Sequence, residues 1–369
     1  MNRIKVFLNK FISVFILALR IFTSWVLQTL TALLSRVINL RQHPVTQYVS
    51  VSFPKVWNNS HVRIIFLSAC SLIIIGVGGI YSISLLAPSR PIVTWTMIDV
   101  SGTLSLGDAH LLEFSNGRKI LIDTGRNENS KKYLVPFLQH KNIHSLDRII
   151  VTNPAISKSG GVLKILESGI TVGSINFNPP SEEYCNQVPG RPCHRKRILK
   201  AMRNWQNYAQ IWPLQTDQII VESENTRLSV LIAHDGITHT PLNGIIHDVT
   251  NLLILKAGNN KIIFASDLSS ALGGYIADSY NDNLNFNILK VPHFGESNLA
   301  PASFFEKILP TLQLALIPTT EKSWAGKRAS RARRMLENIP TYLSERHGNV
   351  EVRLFADKFE IEHYQHPRY

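Results

Sequence analysis

Cations are the most conspicuous chemical groups in this chain. Between Glu321 and Arg334 stand Lys322, Lys327, Arg328, Arg331, Arg333 and Arg334, with Trp324 among them. Lysine and arginine neutralise backbone phosphates, and an indole can stack on an unpaired base, so the run is a candidate nucleic-acid surface. A solvated helix face and contact with anionic lipid headgroups are the alternatives. A second basic run covers Arg191–Arg203. Ser157-Lys158 invites a Ser–Lys nucleophile, but adjacent loop residues rarely point at each other. His234, His239 and His247 fall in one loop region and read as turn or surface histidines before a metal site. Cys185 and Cys193 flank a short Pro- and Gly-containing loop. In an oxidising compartment they can pair, closing a loop worth about 2–3 kcal/mol; free thiols are the alternative. No second pair with zinc spacing accompanies them.

The charge is unevenly placed. The net charge is +13, yet no Asp or Glu precedes Asp99, and residues 1–63 hold eight of the Lys and Arg. The rest of the chain is therefore only +5 (13 minus 8). A high pI alone suggests a soluble nucleic-acid binder; this asymmetry points to a membrane first. Ile64–Ser89 is uncharged and mostly apolar, longer than the roughly 20 residues that span a bilayer core. The spacing predicts a transmembrane helix over 63–89. Basic flanks mark the cytoplasmic side, which makes 1–62 a cytoplasmic arm and 90–369 an outer domain. The expectation is a single-pass bacterial inner-membrane protein with a periplasmic or extracellular C-terminal domain. Within the arm, residues 6–38 carry a polar stripe (Asn9, Ser13, Arg20, Ser24, Gln28, Thr31, Ser35) on an apolar helix. That suits a helix lying on the membrane surface; a second span is the alternative.

Short strands and helices alternate in the outer domain. Strands are expected at Ile92–Val100, Ala109–Phe114, Lys119–Asp123, Leu146–Thr152 and Ser174–Phe177, with an Asn116-Gly117 hairpin turn. More are expected at Thr226–Ala233, Asn251–Ala257, Lys261–Ser266, Leu289–Pro292, Leu312–Ile317, Val350–Phe355 and Lys358–His363. Helices are expected near Ser130–His140, Gly161–Ser168 and His194–Arg203. The segment 178–215 breaks the rhythm and reads as an insertion. The fold class is α+β, a layered αββα sandwich on a single transmembrane anchor.

Several motifs make the family resemblance specific. They are Met97-Ile-Asp-Val100, Gly107-Asp-Ala109, Asn116-Gly-Arg-Lys-Ile-Leu-Ile-Asp-Thr-Gly125 and Leu146-Asp-Arg-Ile-Ile-Val-Thr152. Lys261-Ile-Ile-Phe-Ala-Ser-Asp-Leu268, Leu289-Lys-Val-Pro-His-Phe-Gly295 and Gly348-Asn-Val-Glu-Val-Arg353 follow in order. The domain resembles the metallo-β-lactamase-fold domain at the C-terminus of the competence DNA-internalisation (ComEC) family, over roughly residues 92–365. The resemblance does not extend to the family's many-helix channel; a short anchor is expected in its place.

The resemblance implies a metal-binding loop of the form Thr-His-Pro-(Asp/His)-x-Asp-His-x-Gly-Gly after the Arg148–Val151 strand. Here that stretch reads Thr152-Asn-Pro-Ala-Ile-Ser-Lys-Ser-Gly-Gly161. In the family the loop gathers ions about 3.5–4 Å apart that activate water. At the ligand positions this chain has Asn153, Ala155, Ser157 and Lys158. Ala155 has no donor atom, and Lys158 puts a cation where a dication belongs. Asp123, Asp267 and His293 match family positions: a support behind the loop, a bridging ligand and a later ligand. The expectation is that Asp267 pairs with Lys158 and that no metal or small-molecule cofactor is resident. The alternative is one weakly held zinc or manganese ion on Asp267 and His293, with residual phosphodiesterase or nuclease activity. The leading reading is a degenerate, inactive hydrolase domain that binds or scaffolds at the envelope. The membrane, DNA and another envelope protein are its candidate partners.

Overall fold

The computed structural model describes residues 90–102, 106–182, 195–234, 249–280, 284–296 and 300–365. The chain divides into two compact units, Met1–Ala87 and Pro88–Tyr369, and the described residues belong to the second. The expected arm 1–62 and span 63–89, and Cys185, Cys193, His239 and His247, lie outside them. Among the described residues no helix is long and apolar enough to cross a membrane.

Two mixed sheets make the centre of the domain. The first contains β1 (Val93–Met97), β2 (His110–Phe114), β3 (Lys119–Ile122), β4 (Ser145–Val151), β5 (Thr171–Phe177), β6 (Gln210–Trp212), β14 (Asn349–Leu354) and β15 (Phe359–Tyr364). Its order is β15-β14-β1-β2-β3-β4-β5-β6. The second contains β7 (Ile219–Ser223), β8 (Thr226–Ile232), β9 (Leu252–Ala257), β10 (Asn260–Phe264), β11 (Ile288–Lys290), β12 (Leu314–Ile317) and β13 (Thr341–Leu343). They run β13-β12-β11-β10-β9-β8-β7. Each sheet has an antiparallel part made of hairpins and a parallel part, β3 to β6 and β10 to β13.

The side-chain alternation explains the layers. Val93, Trp95, Leu112 and Ile120 of the first sheet meet Leu228, Leu253, Phe264 and Leu316 of the second in one buried cluster. Neighbours in the sequence point the other way. Leu111, Leu121 and Ile149 pack outward under Phe137, Val162 and Ile198 of covering helices. Ile263, Leu289 and Ala315 pack outward under Ile276 and Phe304. Central strands are thus apolar on both faces, which is why Arg148-Ile-Ile-Val151 reads as a continuous run instead of an alternation. The result is a four-layer αββα sandwich.

Three departures from the expected elements have physical reasons. The β3 strand stops at Ile122, because Asp123 turns left-handed (φ 58°). The Ser130–His140 helix starts earlier, at Asn127, and contains a π-helical turn at Ser130–Leu134. The 178–215 segment is more than an appendage. Its Arg195–Gln206 helix buries Ile198 and Trp205 against the first sheet, and β6 extends that sheet parallel to β5.

Candidate functional site

The parallel strands end on one side of the sandwich, where α/β sheets commonly place their sites. Asp123 follows β3, the Thr152–Gly161 loop follows β4, Asp267 follows β10, and Lys290 ends β11.

The loop after β4 is held by its own side chains and backbone. Asp123 accepts hydrogen bonds from the Thr152 amide (2.8 Å) and the Thr152 hydroxyl (2.7 Å). Asn153 Oδ1 accepts from the Ala155 amide at 2.8 Å, and its Nδ2 donates to the Val249 carbonyl at 3.1 Å. The short Ile156–Ser159 helix follows. Lys158's carbonyl receives the amide and hydroxyl of Thr124 at 2.7 and 2.8 Å. Gly161 is required because a Cβ there would come within 1.9 Å of Ser130 Oγ and 2.3 Å of the Thr124 carbonyl. The Thr-x-Pro…Gly-Gly frame is therefore a packing frame in its own right.

Lys158 points inward and is fully buried. Its ammonium pairs with Asp108, lies 3.1 Å from Asp267 and 3.8 Å from Asp123. The expected Lys158–Asp267 pair is therefore present, as one arm of a larger cluster. Lys290 also pairs with Asp108 and donates to the Ser266 carbonyl at 3.2 Å. The other Asp108 oxygen accepts from His110 Nε2 at 2.7 Å. Trp95 Nε1 donates to His110 Nδ1 at 3.3 Å. With Nδ1 accepting, the imidazole is the neutral Nε2–H tautomer. The Phe294 ring closes the cluster, 5.1 Å from the Lys158 ammonium and 5.8 Å from that of Lys290, close enough for cation–π attraction.

The protonation states follow from burial and from this pairing. Burial alone would raise the Asp108 carboxyl; Lys158, Lys290 and His110 outweigh it and hold it well below the usual range. Burial disfavours the Lys158 ammonium, but Asp108, Asp267 and Asp123 together push its pKa up. Lys290 is lowered, by burial first and by Lys158's charge, against the pull of Asp108. His110 is lowered by burial, which keeps it neutral despite Asp108. Two ammonium groups thus face three carboxylates. The excess falls on Asp123, which burial and Asp108 raise to about 6 against Lys158 and the Thr152 hydrogen bonds.

Backbone strain gathers at the same place. Six described non-glycine residues have positive φ, and Asp123, Ser266, His293 and Phe294 are four of them. His293, Phe294 and Gly295 are left-handed in succession, a conformation that costs L-residues roughly 1–2 kcal/mol each. The turn is held by the His293 amide on the Ser266 carbonyl at 2.9 Å. Such outliers concentrate at functional sites.

The residues do not fit a metal ion. Ala155 offers no donor, Asn153 is spent on the turn, and Lys158 places its ammonium among the three carboxylates. A zinc or manganese ion needs several strong, deprotonated donors free to converge on it. Among the described residues no group of three or more His, Cys, Asp or Glu could hold one. The cluster is also sealed: Asp108 and Lys158 are 0% exposed and Asp267 1%. Three members, Asp108, His110 and Lys290, were not singled out from sequence. Lys290 had a legible signal, as the lone charge in Ile288-Leu289-Lys290-Val291; a lysine buried in such a strand demands a carboxylate.

The other sequence candidates lie apart. In the Glu321–Arg334 run, Lys322, Lys327, Arg328 and Arg334 are exposed, while Trp324, Arg331 and Arg333 are half-buried. Trp324 packs on the outer cluster of the second sheet and against Gly295. Arg333 donates to the carbonyls of Trp324 and Gly326. These two side chains therefore shape the turn between short helices. Arg328 lies 3.7 Å from Glu296. His234 is buried, with its amide on Asn251 Oδ1 at 2.9 Å.

No protein-family model matches the chain, and no curated protein matches it. Several solved structures are similar. The diiron β-hydroxylase CmlA from Streptomyces venezuelae aligns at TM-score 0.43 and 11% identity, over 73% of this chain and 55% of that one. The zinc-bound PqqB of Methylobacterium extorquens aligns at 0.38 and 10%, over 64% and 84%. Human short-form tRNase Z aligns at 0.36 and 10%, over 62% and 93%. The chain spans about half the length of the CmlA structures it matches (54% and 55%). Likenesses this distant carry nothing about activity, metal or substrate.

Proposed function

We propose that the domain is a catalytically inert form of the metallo-β-lactamase fold that works by binding. The single observation that carries this is the Lys158 ammonium, sealed among Asp108, Asp123 and Asp267. A hydrolase of this type needs an open metal position and a reachable water; the cluster supports neither. The layered sheets and the Thr152–Gly161 turn support the fold reading. The motif resemblance supports reading it as a DNA-binding protein of the bacterial envelope, with residues 63–89 as its proposed anchor. In this reading the exposed cations Lys322, Lys327, Arg328 and Arg334 meet DNA.

Two experiments test this. Substituting Lys327, Arg328 and Arg334 by Ala should weaken DNA retention uniformly across sequences and flatten its salt dependence. Unchanged retention refers the binding role to lipid or to another envelope protein. An alkaline-phosphatase fusion at residue 369 should be active if the C-terminal domain lies outside.

The second reading is a residual metal-dependent hydrolase using Asp267 and His293. Among the similar structures one is described as a diphosphatase of the PhnP family and another as a putative metal-dependent hydrolase, at TM-scores 0.34 and 0.37. Phosphodiester cleavage that Asp267→Ala and His293→Ala both abolish would establish this second reading.

A further inference from the structure

The outer face of the loop that carries Lys158 borders a separate cleft of about 200 Å³. It lies between the Ile156–Ser159 turn and the Arg195–Gln206 helix. Its interior is apolar. Phe177 and Trp205 meet edge to face at 5.6 Å and are both buried. Ile156 also lines it while remaining 39% exposed. A large aliphatic side chain left in water beside two aromatic rings is a surface that an apolar ligand would cover.

Among the described residues one charged group lines this cleft. Arg197 is exposed and, among the described residues, makes no ion pair. Among the described residues the lining has no carboxylate to compete for it. Guanidinium presents a planar fork that matches a carboxylate. Size narrows the ligand further, because a cavity of roughly 150 Å³ accommodates one benzene ring.

We infer that this cleft binds a small aromatic monocarboxylate, the ring against Phe177 and Trp205 and the carboxylate on Arg197. This names a ligand class for the binding reading without depending on the ion cluster, so failure here leaves the cluster's inertness to its own test. The probes are phenylacetate and its neutral isostere phenylacetamide, titrated against the full chain by saturation-transfer NMR. The acid should bind saturably and roughly tenfold more tightly than the amide, as one charge-assisted contact requires. Arg197→Ala, a surface change, should bring the acid down to the amide's affinity. Ala201→Phe should fill the cleft and abolish both, with thermal unfolding recorded to confirm folding. Equal binding of acid and amide, binding unchanged by Arg197→Ala, or no saturable binding at millimolar ligand would each overturn the assignment.

Discussion

One loop has two faces, and they treat charge in opposite ways. The inner face of the Thr152–Gly161 loop sends Lys158 into a dry cluster where its charge is met by carboxylates. The outer face borders an open cleft where Arg197 stands exposed. The inner cation is spent on folding; the outer one is available to a ligand. Asn153, Thr124 and the Gly160–Gly161 pair specify the turn through hydrogen bonds and close packing.

The largest expected effect is on the inner face. Lys158→Met leaves Asp108 and Asp267 buried without their shared ammonium. Removing one partner of a buried ion pair costs about 3–5 kcal/mol. Calorimetry should show Tm falling by roughly 6–20 °C; a drop of a degree or two would mean that the cluster does not hold the sheets together.

Next comes pH. Asp123 has a folded value of about 6 against 3.8 for the free carboxyl. A group raised on folding binds its proton more tightly in the native state. Its contribution is complete below pH 3.8 and disappears as pH rises through 6, a change of about 3 kcal/mol. Asp108 is held low and works the other way: its contribution exists above pH 3.8 and fades as pH falls below that. Urea midpoints between pH 4 and 6.5 should therefore decline less steeply with rising pH in Asp123→Asn than in the wild type. Parallel curves would show that Asp123 keeps an ordinary carboxyl.

A smaller effect is expected at the basic run. Arg333→Ala frees the part-buried carbonyls of Trp324 and Gly326 and should cost about 0.5–1.5 kcal/mol, read by urea unfolding. Unchanged stability with weakened DNA retention would return Arg333 to the contact surface. Ile156→Ser, on the outer face, should stay within about 0.5 kcal/mol of wild type. A large loss there would mean that the cleft is part of the core.

Much of the fold was legible because it rests on local patterns. Asn116-Gly117 announced a hairpin, and the apolar runs in Leu146–Thr152 and Lys261–Ser266 announced buried strands. Short edge strands such as β6 and β13 were not legible, since three residues carry no periodicity. At the site, Lys158 with Asp267 could be paired from motif positions. The contributions of Asp108 and His110 could not, because they depend on β2 lying beside β1 and on Trp95 fixing the imidazole. Trp324 looked available for stacking in sequence; its contact with Gly295 exists only once the left-handed turn brings that residue beneath the indole.

If the Lys158 ammonium stands in for a metal ion, as proposed above, the protein takes up none. Metal analysis of the purified protein after incubation with zinc and with manganese should then find no stoichiometric metal, and the same content in wild type, Asp267→Ala and His293→Ala. One ion per chain that both substitutions remove would contradict that proposal.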